Sequence, residues 1–202
     1  LERSGVEVYL KRMWSSNVYL MRNLILRDDT EENNTDKAIP FSKLGGYDYL
    51  FWIDGDQVWR PRQVRMLVEK DVDIICGSTA IGLKAGKNEN GEIVRRAQSN
   101  VGYIREPGKA EFLWMDTITE MEVDEQGLIE IDFTGFGFVC VKEGVFESMS
   151  YPWFRPMTQT VNKVMTFPSE DIGWCLRVRE EYGYKIYLHP GVRVGHEKMI
   201  MV

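Results

Sequence analysis

Tyr47 to Ile53 (YDYLFWI) is a dense aromatic and aliphatic run that stops abruptly at Asp54-Gly55-Asp56. Bounded by Gly45-Gly46 before it and acids after it, the run fits a central strand buried on both faces. Similar short runs return at Asp73 to Gly77 (DIICG) and at Phe133 to Val141 (FTGFGFVCV), the latter a strand containing two glycines. None of these approaches the roughly 20 apolar residues of a membrane span. Leu1 to Lys11 mix charges with apolar side chains, unlike a secretory signal.

Between the apolar runs the pattern changes to helical spacing. Ser15 and Ser16 can cap a helix with Val18, Leu20, Met21, Leu24 and Ile25 on its apolar side. Pro61 suits a first helical turn, followed by a stripe of Val64, Leu67 and Val68. Lys142 to Met149 reads as a short helix, and Ser169 opens a longer one reaching about Tyr182. Val6 to Trp14 alternates with period two, as a half-buried strand does, and strands are also expected at Tyr184 to Leu188 and Val192 to Gly195. Arg27 to Asp36 reads as a solvated acidic loop, Gly82 to Gln98 as a hairpin or loop, and Phe112 to Ile131 as strand-rich around a Glu125-Gln126-Gly127 turn. Tyr151 to Phe167 forms an aromatic, proline-flanked loop. Strands alternating with helices, then a mixed second half, predict an α/β domain with a largely parallel sheet.

With 202 residues and no repeat or linker, the chain suits one domain, residues 1–202. A net charge of −6 disfavours nucleic acid and anionic membrane as bulk partners. Phosphate binding then needs a local cation or a metal. Cys76, Cys140 and Cys175 are far apart, odd in number and set in apolar runs. They indicate buried reduced thiols and a reducing compartment rather than a zinc site or disulfide framework.

Asp54 and Asp56 follow the end of a buried strand, where open α/β sheets bind ligands. Two hard oxygen ligands flanking a glycine suit Mg²⁺ or Mn²⁺ carrying a diphosphate, although Asp-Gly is also a common turn dipeptide. Glu170 and Asp171 follow Ser169 at a helix start, where acids favour the helix dipole and where a general base can also sit. His196 follows the last strand and could complete a metal shell, with Lys198 placed to meet a phosphate. His189, before Pro190 in a turn, looks ordinary. Thr134-Gly135-Phe136-Gly137 lets backbone approach a ligand closely or marks a bulge.

Taken in order, these elements resemble the GT-A fold of nucleotide-sugar-dependent glycosyltransferases, especially family-2-like enzymes. The resemblance runs from about Val6 to Lys198. It is carried by Arg22-Asn23, by Phe51 to Pro61 (FWIDGDQVWRP) with a DxD motif, by Gly135 to Phe138, by Glu170-Asp171 and by His196. It implies a Rossmann-like three-layer α/β domain with a mixed, mainly parallel central sheet and a smaller acceptor-side sheet. It also implies that the family's first strand–helix unit, which binds the nucleotide base, would precede Val6. The implied donor is a UDP- or GDP-sugar, and the acceptor is a glycan or other hydroxyl compound. Asp56 and His196 would hold Mn²⁺ or Mg²⁺, with Asp54 near the metal and the ribose. Arg22, Asn23, Gly135, Phe136, Gly137 and Lys198 would line the donor. Asp171 would be the base of an inverting transfer, with Glu170 beside it, and Trp153 and Trp174 are candidates for stacking on a sugar.

Three other readings remain open from the residues. A sugar-phosphate nucleotidyltransferase uses similar carboxylates, with a glycine-rich basic loop in a first strand–helix unit. A non-catalytic carbohydrate-binding domain could use the aromatic loop. A HAD-type phosphatase also has Asp-x-Asp after an apolar strand, but its threonine and lysine are not at the expected places. The expected location is the cytoplasm or the cytoplasmic face of a membrane.

Overall fold

The computed structural model describes residues 5–27, 38–106, 108–161 and 163–197. The apolar run Tyr47 to Ile53 supplies strand β1 (Tyr49–Ile53), which is an edge strand with only Trp52 buried, not the expected central strand buried on both faces. There follow β2 (Gln57–Val58), helix α2 (Pro61–Val68), β3 (Ile74–Lys87), β4 (Ile93–Glu106), β5 (Lys109–Trp114) and a short 3-10 helix at Ile118–Glu120. Then come β6 (Ile129–Ile131), β7 (Phe133–Thr134), β8 (Phe138–Lys142), α3 (Val145–Ser148), the hairpin β9 (Gln159–Val161) and β10 (Val164–Thr166), α4 (Glu170–Glu180) and β11 (Ile186–His196). Helix α1 (Val18–Leu26) precedes them all.

The expected mainly parallel sheet is overturned. Nine strands form one sheet whose pairings are antiparallel, apart from the parallel pair β3–β11. Strand β1 lies at one edge beside β8, which pairs with β3, and β3 is followed by β11. The reason for the error is physical. Along β8, Phe138 and Cys140 pack with Val64 and Leu67 of α2 on one face. Val139 and Val141 pack on the other face with Phe146 of α3 and Trp174 and Val178 of α4. Cover on both faces writes a continuous apolar run, whatever the direction of the neighbouring strand.

Other expectations shift for equally local reasons. Residues 6–14 form no strand, and Tyr9, Leu10 and Trp14 stand exposed. Alternation is not enough without a partner strand to take up the backbone groups, and none is found among the described residues. Helix α1 is capped by Asn17, whose side chain accepts the Leu20 amide, rather than by a serine. Its buried residues are Arg22, Asn23 and Leu26, while Val18 and Leu20 are exposed. The helix therefore turns its polar pair inward.

Gly82 to Gln98 belongs to a long antiparallel hairpin of β3 and β4. Its turn is held by Asn88, whose side chain accepts the amides of Asn90 and Glu92. Phe133 to Val141 is two strands broken at Gly135–Gly137, and the two C-terminal strands are a single β11 whose register shifts between Leu188 and Arg193. The acidic loop expected at Arg27 to Asp36 lies, from residue 28, outside the described residues. Among the described residues no helix is long and apolar enough to cross a membrane.

Candidate functional site

Where β1 ends, the chain turns tightly, and the Gln57 amide donates to the Asp54 carbonyl at 3.1 Å. Asp54-Gly55-Asp56 is therefore a turn, and its first residue also lines a cleft. A cavity of about 230 Å³ is lined here by Arg22, Asp54, Gly135 to Gly137, Glu170, Asp171 and His196, residues up to 174 positions apart in the chain. Gln57, Thr79, Asn100 and Phe112 complete much of its wall.

The glycine loop between β7 and β8 forms one wall and is tied down at both ends. Its first residue, Gly135, donates to the Asn100 carbonyl at 2.8 Å and accepts from the Asn100 amide side chain at 3.2 Å. At the other end the Asp54 amide donates to the Gly137 carbonyl at 3.0 Å. A Cβ on Gly135 would sit 3.4 Å from Asp171 Oδ2, so glycine lets the α4 acid lie against backbone. Asp171 is itself oriented: Oδ1 accepts from the Ser169 hydroxyl and from the Ile172 amide. Those two donors engage Oδ1 and leave Oδ2 to face the cleft.

Arg22 stands at the back. Its guanidinium lies 5.1 to 5.7 Å from the ring centres of Phe136, Trp52 and Phe154, a cation enclosed by aromatic faces. Nε and Nη2 each donate to Glu170 Oε1 at 3.3 Å, and Nη2 lies 3.8 Å from Asp54 Oδ1. Burial pushes the Asp54 carboxyl above the usual carboxylate range; Arg22 opposes this, while Asp56, Glu170 and Asp171 add to it. Three buried polar atoms of cleft-lining residues, Arg22 Nη1, Gln57 Oε1 and Thr79 Oγ1, have no hydrogen-bond partner among the described residues. Groups of this kind cost free energy unless a ligand or water meets them.

At the other end of the cleft His196 and Asp56 meet. His196 Nε2 is 2.8 Å from Asp56 Oδ2, and Nδ1 is 3.1 Å from the Ala80 carbonyl. If Nδ1–H donates to Ala80, a neutral ring turns its Nε2 lone pair toward a carboxylate oxygen. Only a cation between them, a proton or a metal ion, makes that contact favourable. Their spacing is close to the roughly 3 Å between adjacent ligands of a small octahedral cation, and a backbone carbonyl behind the imidazole is the usual support of a metal-ligating histidine. One imidazole and one carboxylate would give a divalent ion two ligands here, and the rest would have to come from elsewhere. Among the described residues there is no group of three His, Cys, Asp or Glu side chains that could hold a metal ion.

The cleft thus brings together Arg22, Asp54, Gly135, Phe136, Gly137, Glu170, Asp171 and His196, with Asp56 bonded to His196. Asn23 is turned elsewhere, bonding the backbone of Phe154 in both directions and tying α1 to the aromatic loop. Trp153 and Trp174 are not stacking platforms, because both are buried in the core, where Trp174 stacks on Phe154. Lys198 lies outside the described residues. Gln57, Thr79 and Asn100 escaped notice in the sequence. A signal existed for Asn100: a Ser-Asn pair inside an otherwise strand-like stretch (AQSNVGYI) demands a buried partner, here the Thr79 amide at 2.9 Å.

No family model and no curated protein matches the chain. Among solved structures it is similar to the crystal structure of A197 from STIV, with a TM-score of 0.50 and 17% identity, over 98% of this chain and 75% of that one. At that identity the likeness concerns the fold alone.

Proposed function

We propose that this protein is a metal-dependent glycosyltransferase that moves a sugar from a nucleoside-diphosphate sugar to an acceptor hydroxyl with inversion. The observation that carries the reading is one cleft lined by Arg22, Asp54, the glycine loop, Glu170, Asp171 and His196, with Asp56 bonded to His196.

Asp171 is the base. Its Oδ2 takes the proton of the acceptor hydroxyl as that oxygen attacks the anomeric carbon. Ser169 and the Ile172 amide hold Oδ1, so the carboxylate cannot rotate away. Arg22 bonds Glu170 and lies close to Asp54, holding the two carboxylates side by side at the cleft. The glycine loop admits the sugar close to backbone. Asp56 and His196 would hold Mn²⁺ or Mg²⁺, which supplies positive charge against the departing diphosphate. The three cysteines, all buried and reduced, suit a reducing compartment such as the cytoplasm.

The test is calorimetric titration with UDP, GDP and their sugars, with and without Mn²⁺. Binding that needs Mn²⁺ and is lost in Asp56→Ala is expected; no nucleotide binding in the presence of Mn²⁺ rules the reading out. Asp171→Asn should lower transfer at least about 100-fold, the scale of a lost general base, with donor affinity kept. Release of pyrophosphate instead of nucleoside diphosphate would identify a nucleotidyltransferase.

A further inference from the structure

A second cavity, of about 140 Å³, lies beside the first. Residues 166–168 line it, and residues 169–172 line the first cavity, with Ile172 shared by both. Strand β5 runs along the two in the same way. Ala110 faces the second cavity and Phe112, two residues on, faces the first, as alternate residues on one face of a strand must. The two cavities meet at Ile172 and together make a trough, with Asp171 next to that residue on the side of the first cavity.

Its chemistry differs sharply from that of the first cavity. Ile104, Ala110, Pro168 and Ile172 make an apolar floor, and Phe167 leaves 62% of its surface exposed. The polar contribution is neutral: Thr166 and Gln159 lie opposite each other across the β9–β10 hairpin, and both enter the lining. Lys109 also reaches it, with its charge matched by Glu106 at 2.6 Å. An aromatic face beside neutral hydrogen-bonding groups suits a molecule with an apolar C–H face and hydroxyl edges. Asp54, Glu170 and Asp171 next door repel anions.

On the premise that the first cavity carries out glycosyl transfer, we infer that the second cavity is the acceptor subsite and that the acceptor is an uncharged saccharide. Its terminal pyranose ring packs on Phe167, Gln159 and Thr166 bond its hydroxyls, and the attacking hydroxyl points across Ile172 to Asp171 Oδ2.

Saccharide binding is measured directly, without donor, by ligand-observed NMR. The probes are cellobiose, lactose and mannobiose, with sialyllactose as the anionic counterpart. At least one neutral disaccharide should bind, and sialyllactose should bind more weakly than lactose. Phe167→Ala should weaken the neutral disaccharide about tenfold, as loss of one aromatic contact does, and Thr166→Val should weaken it as well. Because both side chains lie outside the first cavity, nucleotide affinity in Mn²⁺ should not change. The inference fails if no neutral disaccharide binds, if sialyllactose binds as well as lactose, or if Phe167→Ala leaves saccharide affinity unchanged. A wild-type protein that binds saccharide through Phe167 but no nucleotide would overturn the transfer reading and with it the acceptor role, leaving a carbohydrate-binding domain.

Discussion

Arg22 shows how far one side chain can organise a site. The residue is 3% exposed and its guanidinium lies against three aromatic rings, yet it serves Glu170 and reaches toward Asp54. Burying such a charge is favourable only while its partners stay in place, and removing one member of a buried pair costs about 3–5 kcal/mol. Glu170 and Asp54 keep some access to water, so the loss here should be smaller. Arg22→Ala is expected to destabilise the fold by about 2–3 kcal/mol in urea denaturation. Arg22→Met combined with Glu170→Gln should recover much of that, because a thioether can fill the aromatic cage and only Asp54, which keeps access to water, loses its cation. If the double variant is as unstable as Arg22→Ala, neither the emptied cage nor the unpaired Glu170 accounts for the cost.

At the scale of elements, the trough depends on how closely β5 can approach β4. Gly102 is the critical point: a Cβ there would lie 2.0 Å from the Glu111 carbonyl oxygen, a backbone atom that cannot step aside. The ladder already changes register between Gln98 and Gly102. Gly102→Ala should therefore push β5 off the sheet, costing about 2 kcal/mol or more by overpacking. Ala110 and Phe112 would be displaced with it. Amide hydrogen exchange should show protection lost across residues 109–114 while the β1–β8 pairing stays protected; unchanged protection in β5 would refute this account.

Where β8, β3 and β11 lie side by side, the described sheet is covered on both faces, and the thiols report on that cover. Cys76, Cys140 and Cys175 are at most 1% exposed, and burial pushes all three thiols up, Cys76 to about 12. Protonated and enclosed, they should resist alkylation in the native protein and become reactive together in a single phase set by global unfolding. One cysteine reacting ahead of the others would mean that a face of the sheet opens locally.

Much of the site could be found in the chain because its chemistry is local. Asp54-Gly55-Asp56 after an apolar strand, Glu170-Asp171 at a helix start and His196 at the close of a strand each mark themselves by residue type and by the element they end. Asp54, Glu170, Asp171 and His196 meet at one cleft, with Asp56 bonded to His196. Helices α2 and α4 were legible for a similar reason, since proline at a first turn and apolar spacing act within a few residues. The direction of the strands was not legible. An apolar run records that both faces are covered and says nothing about which way the neighbour travels, because hydrogen-bonded pairing joins residues as remote as Ile74 and Val141. The same distance in sequence hid Asn100, Gln57 and Thr79, whose importance comes from what folding places opposite them. It also hid the second cavity, assembled from two hairpins and the entry to α4. Composition and short-range pattern thus give the side chains their chemistry and their local backbone. Pairing order, the inward turn of Arg22 and the shape of the trough depend on long-range contacts, which exist only once the sheet has closed.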